Sequence, residues 1–174
     1  MKIESPAFTF DDVKAFMHTY RERERDMLAD RLERISSRLA ELGPRVAAQP
    51  GEGDAWNAHE MLAHIALVSK FYGVLVHRIA SGKTTDFNLL EQVNLRDIVG
   101  QQMAQTEPAE LLRQALSDHE RTINTLRTTG PETMQRAARI DDGSSMSAEE
   151  VARMPLISHL EMHIAELEKL LASR

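Results

Sequence analysis

Four stretches of helical periodicity, parted by glycine and proline, constrain what this chain can fold into. Apolar residues recurring every three or four positions form a stripe along a helix, and such a stripe is buried against a neighbour. The first stretch runs from about Asp11 to Leu42, with Val13, Phe16, Tyr20, Leu28, Ile35, Leu39 and Leu42 on or near one line. The line weakens across the alternating charges RERERD at 21–26, where the helix is expected to project beyond the core. Gly43-Pro44 is expected to end it through a left-handed glycine cap.

The second stretch opens at Trp56-Asn57. Asn57 is a good N-cap and Glu60 stands at the third helical position, able to reach back to it, which makes a capping box. Trp56 is expected to pack down as a hydrophobic staple. Met61, His64, Val68, Phe71 and Leu75 carry the stripe, and Ser81-Gly82 closes the helix. Residues 83–105 read as a loop with one short helix, or as an early start to the next one. The third helix begins around TEPAELL, carries Leu112, Leu116, His119, Ile123 and Leu126, and stops at Gly130-Pro131. An irregular polar stretch follows through DDGSS. Ser147 and Glu150 form a second capping box, and the last helix carries Leu156, Leu160, His163, Leu167 and Leu170. Pro155 lies inside it and predicts a kink one turn before His159. Four amphipathic helices with few strand signals predict an all-α fold, a four-helix bundle. The connection of roughly two dozen residues between the second and third helices is long for bundle neighbours and could be a crossover.

Composition narrows the function classes. A chain of 174 residues suits one domain with a sizeable core. The formal net charge of −6 repels phosphate backbones, so nucleic acid is not an expected partner. No cysteine is present, which excludes disulfides, zinc ribbons and a cysteine nucleophile. Neither a signal-peptide core nor an apolar run of membrane length is apparent, so the cytoplasm is the expected location and no membrane partner is expected.

Seven histidines remain to be sorted. His18, His59 and His77 lie off the stripes and read as surface residues. His64 occupies a core-facing slot in the second helix. His159 and His163, four residues apart, share one face of the last helix. If those helices are neighbours, three imidazoles converge inside the bundle. Three neutral nitrogens suit zinc, and imidazole also suits nickel, iron or copper; three protein ligands leave a position open for water or a substrate. The competing reading is of hydrogen-bonded core histidines. His119, on the stripe of the third helix, is a weaker candidate for a fourth ligand, a pocket wall or a supporting partner. Glu166, one turn beyond His163, could orient that ring; a solvated glutamate paired with a lysine in ELEK is the more ordinary reading. No Ser–His–Asp set or phosphate-binding glycine loop can be recognised.

WNAHEMLAHIALV resembles the signature of the DinB-like (DinB/YfiT) superfamily, in which a tryptophan, a small capping residue and a glutamate precede a histidine at the start of the second helix. HLEMHIAELEKLL resembles its C-terminal HxxxH helix, with Glu166 where a polar residue often follows. The resemblance covers most of the chain and implies a single DinB-like four-helix bundle over residues 1–174, often a homodimer. It also implies a divalent metal (zinc, nickel or iron) held by His64, His159 and His163. It carries no role for His119 and offers no counterpart to segment 83–105. Characterised relatives include thiol-dependent transferases and isomerases that use low-molecular-weight thiols such as mycothiol or bacillithiol. The functional expectation is therefore a metal-dependent thiol S-transferase or isomerase acting on a small-molecule substrate. A metal-dependent hydrolase, or a non-catalytic bundle that binds a ligand or partner, stands as the alternative.

Overall fold

The structure, a computed structural model, describes residues 9–49, 56–88 and 102–172. In chain order the elements are α1 (Phe10–Leu42), a 3₁₀ turn (Gly43–Arg45), α2 (Ala58–Ala80), β1 (Asp86–Phe87) and α3 (Pro108–Thr128). There follow α4 (Pro131–Met134), β2 (Ala137–Ile140), β3 (Ser145–Ser147), α5 (Ala148–Val151), a π-helical segment (Ala152–Ser158) and α6 (His159–Ala172). The four expected helices are present, the fourth being α5, the π segment and α6 in succession. The fold is mainly all-α.

Thr9 and Asp12 form a capping box that starts α1, a helix of 33 residues and roughly 50 Å. Its buried face begins only at Leu28. Phe10, Val13, Phe16 and Tyr20 are exposed, so the N-terminal half overhangs the bundle and the expected core stripe does not start at Val13. The overhang is tied at its base, where Arg21 reaches Glu132 and Arg25 Nη1 donates to the Thr129 carbonyl. Gly43 does not take the left-handed conformation expected of it: its φ is −54°, and the helix runs on into the 3₁₀ turn. Packing explains the glycine instead, since a Cβ there would lie 2.5 Å from Leu112 Cδ1.

α2 is buried on nearly every side, with Leu62, Ile65, Val68, Val76 and Ile79 fully enclosed. By length and composition it could cross a membrane, yet most of it lies inside the bundle, as expected of a core helix. It packs against α3 and α6, and α1 packs against the same two helices. Consecutive helices α1 and α2 therefore sit diagonally, and the link between them crosses the bundle. The longer connection after α2 joins neighbours and is not the crossover. The α2–α3 approach is close: a Cβ on Gly73 would lie 2.5 Å from Thr122 Oγ1.

A three-stranded sheet, β1 parallel to β2 and β2 antiparallel to β3, caps one end. It replaces the irregular stretch expected through DDGSS. Ala138 and Ile140 point into the core while Ala137 and Arg139 face out. β1 lies in the segment 83–105, whose expected short helix falls partly on residues 89–101, outside the described residues.

His119 lies at the centre of the bundle, 1 % exposed, and joins three helices. Ser69 Oγ donates to the Ile65 carbonyl at 2.7 Å, so it accepts from His119 Nε2–H at 2.8 Å. His119 Nδ1 then accepts from the Ser36 hydroxyl at 2.8 Å. This network satisfies one neutral tautomer of the ring, with both nitrogens paired. Burial pushes the imidazole pKa down to about 4. The folded value lies below the unfolded one, so the unfolded chain binds the extra proton between pH 6.5 and 4. Stability is complete above that window and falls as the pH drops through it, by about 3 kcal/mol in all. Urea unfolding of wild type and His119→Gln at pH 7 and pH 4 is expected to show their stability gap shrinking by about that amount. A gap that does not change with pH would refute the assignment.

Candidate metal centre

Two capping boxes set the helices that carry the candidate histidines. The Asn57 side chain accepts from the backbone N–H groups of His59 and Glu60, and Asn57 N–H donates to Glu60 Oε2 at 3.0 Å. This fixes the start of α2, with His64 less than two turns inside it. Ser147 and Glu150 do the same for α5, with Ser147 N–H donating to Glu150 Oε2 at 2.7 Å. The π segment follows, and His159 opens α6 with His163 one turn beyond.

His64, His159 and His163 meet in the seam between α2 and α6. One ring nitrogen from each lies within 4.8 Å of the others. Ring centroids are 5.4 Å apart for His64–His159, 4.6 Å for His64–His163 and 4.5 Å for His159–His163. Nitrogens bound tetrahedrally at zinc–nitrogen distance lie about 3.3 Å from one another, so small side-chain rotations would close this set on one ion. His163 is 6 % exposed. Its Nδ1 lies 2.6 Å from Glu166 Oε2, which as a carboxylate accepts the ring N–H. That leaves the lone pair on Nε2, an atom that is buried and has no hydrogen-bond partner. A carboxylate behind one nitrogen and an unsatisfied lone pair on the other is the condition of a metal-ligating histidine. His159 Nδ1 lies 3.3 Å from the Pro155 carbonyl, which holds that ring in the same sense. The three histidines are thus positioned to fit a divalent metal ion.

Neighbouring groups complete the setting. Trp56, expected as a staple at the start of α2, packs on the histidine cluster. Its indole lies against His64, with centroids 4.6 Å apart, and reaches toward His163 at 6.3 Å while remaining 47 % exposed. On the outer side of α6, Arg31 forks onto Glu161 at 2.8 and 2.6 Å and donates to Ser158 Oγ at 3.1 Å. Those bonds hold the Glu161 carboxyl below its usual pKa and clamp the junction beside His159 to α1.

The other histidines fall as follows. His18 and His77 are exposed, as expected. His59 is not a surface residue: it is 5 % exposed, Nε2 donates to the Thr106 carbonyl at 2.7 Å, and Nδ1 accepts from Gln49 N–H at 3.2 Å. The first two turns of α2 are covered on most sides, so His59, off the main stripe, is still inside. His119 lies apart from the cluster, held by serines. Glu166 contacts His163, which decides between the two readings of ELEK. A carboxylate three residues after a histidine is the signal that pointed to it, since i and i+3 are neighbours on a helix.

The family model of the DinB superfamily matches residues 21–167. No curated protein and no solved structure matches the chain. The matched span runs from the exposed half of α1 into α6 and takes in all three clustered histidines and the carboxylate behind one of them. By that match, over a helical bundle with the histidines facing each other across its second and last helices, the chain belongs to the DinB superfamily.

Proposed function

We propose that the chain is a divalent-metal-dependent enzyme of the thiol S-transferase or isomerase type, its metal held by His64, His159 and His163. The observation that carries this reading is the convergence of three ring nitrogens within 4.8 Å, with Glu166 behind one of them. Zinc, nickel and iron suit the donor set. When bound, the ion supplies Lewis acidity that lowers the pKa of a thiol or a water molecule. The protein's own residues do the rest. Glu166 keeps the proton of His163 on Nδ1, the Pro155 carbonyl orients His159, and the Trp56 indole shields one side of the cluster from water. The chain has no cysteine, so the sulfur nucleophile comes from a low-molecular-weight thiol. Family membership is compatible with this class, since characterised relatives include transferases and isomerases that use such thiols.

The homodimer belongs to the same proposal. The exposed stripe of Phe10, Val13, Phe16 and Tyr20 on α1 is the apolar surface a second copy would cover. Sedimentation of wild type as a monomer at micromolar concentration would remove that part.

Protein purified without chelator is expected to carry one equivalent of divalent metal by elemental analysis, and His64→Ala and His159→Ala to carry none. Metal-free wild type whose melting temperature is unmoved by zinc or nickel would overturn the reading. Glu166→Ala is expected to weaken zinc affinity about 10–100-fold while leaving the bundle folded. Competition with a chromophoric chelator measures this, and an unchanged affinity would remove Glu166 from the site. Thiol consumption against a panel of electrophiles then tests the transferase class.

A further inference from the structure

The buried stripe of the last helical run changes register partway along. Ala148, Val151 and Ala152 are buried at its start. Carried forward at 3.6 residues per turn, that face would next present Pro155, His159, Met162 and Glu166. The buried face runs through Leu156, Leu160, His163 and Leu167, each about one position later, with Ile157 and Ile164 beside it. Met162 is instead 50 % exposed. The shift of one residue occurs in the π segment Ala152–Ser158, where a wider turn takes up an extra residue.

Proline at 155 suits this turn for a chemical reason. It has no N–H to give to the carbonyl four residues back, so an α-turn would strand the Val151 carbonyl. A π-turn pairs each carbonyl with the N–H five residues on, which offers that carbonyl another donor. The disturbance expected at Pro155 takes the form of a π segment that carries a change of register. Beyond the turn, the His159 backbone N–H bonds the Leu156 carbonyl, and the Pro155 carbonyl stands 3.3 Å from His159 Nδ1.

We propose that the π-turn held by Pro155 is the positioning device of the histidine cluster. It rotates α6 so that His163 turns inward beside His64, and it supplies the carbonyl that holds His159 in the Nδ1–H tautomer. Pro155 is thus a positioning residue that touches neither metal nor substrate. This rests on the metal reading above, and the test separates the two.

Metal-free wild type and Pro155→Ala are titrated with zinc against a chromophoric chelator, and the histidine tautomers are read by ¹⁵N NMR of the metal-free proteins. Alanine restores the missing N–H and lets the helix close into α register. Pro155→Ala is expected to bind zinc about 10–100-fold more weakly, with wild-type circular dichroism, and to lose the Nδ1–H tautomer of His159. Wild type that binds no zinc removes the metal reading and this proposal with it. Wild type that binds zinc, with a folded Pro155→Ala that binds equally well, overturns the positioning role alone. Should Pro155→Ala not fold, the wild-type spectrum decides: an Nε2–H tautomer at His159 refutes the proposal, and an Nδ1–H tautomer upholds it.

Discussion

Imidazoles placed inside an apolar bundle need partners, and the ways this chain provides them govern its architecture. A buried polar atom left without a hydrogen bond costs about 1–3 kcal/mol. His119 meets that demand with two serine hydroxyls, and His59 meets it with backbone groups of Gln49 and Thr106. Each ring ties together segments distant in sequence, so its satisfaction also fixes the packing of helices and connections. His163 is different. One nitrogen is matched to a carboxylate and the other is buried with no hydrogen-bond partner. The contrast among histidines of one chain separates those tied into the fold by hydrogen bonds from the one whose second nitrogen is placed to fit an ion.

Around that centre the bundle behaves as a rigid mount. Capping boxes set the starts of α2 and α5, so the carriers of the histidines begin at defined residues. The fork between Arg31 and Glu161 restrains the outer face of α6 beside the π segment. α2 contributes through burial alone: with neighbours on nearly every side, it has little freedom to rotate His64 away from α6. Sites built on helices locked by packing keep their geometry better than sites on loops.

Much of this was readable from residue order. Asn57 with Glu60 and Ser147 with Glu150 announce their helix starts through local hydrogen bonds, which depend on near neighbours only. His159 and His163 share a face because four residues nearly complete a turn. His64 meeting them required helix pairing, which periodicity leaves open and the family resemblance supplied. Other features escaped for physical reasons. Strands of two to four residues carry too little alternation to stand out from the DDGSS turn. His59 reads as exposed because the start of α2 is covered by the connections at Gln49 and Thr106, which the helix's own periodicity does not reveal. Gly43 read as a left-handed cap, whereas its reason lies in Leu112, far along the chain. A proline inside a helix announces a disturbance, but that it widens the turn and shifts the buried register depends on what the following turn must bury.

Trp56 has one more consequence. It is the sole indole in the chain and rests directly on His64. The protein's intrinsic ultraviolet emission therefore arises almost wholly from a ring in van der Waals range of the histidine cluster, and is half open to solvent. A copper or cobalt ion seated there would drain that excited state at contact distance, whereas one bound elsewhere on the acidic surface would leave it bright. The chain carries its own optical gauge of occupancy, with no dye or tag needed.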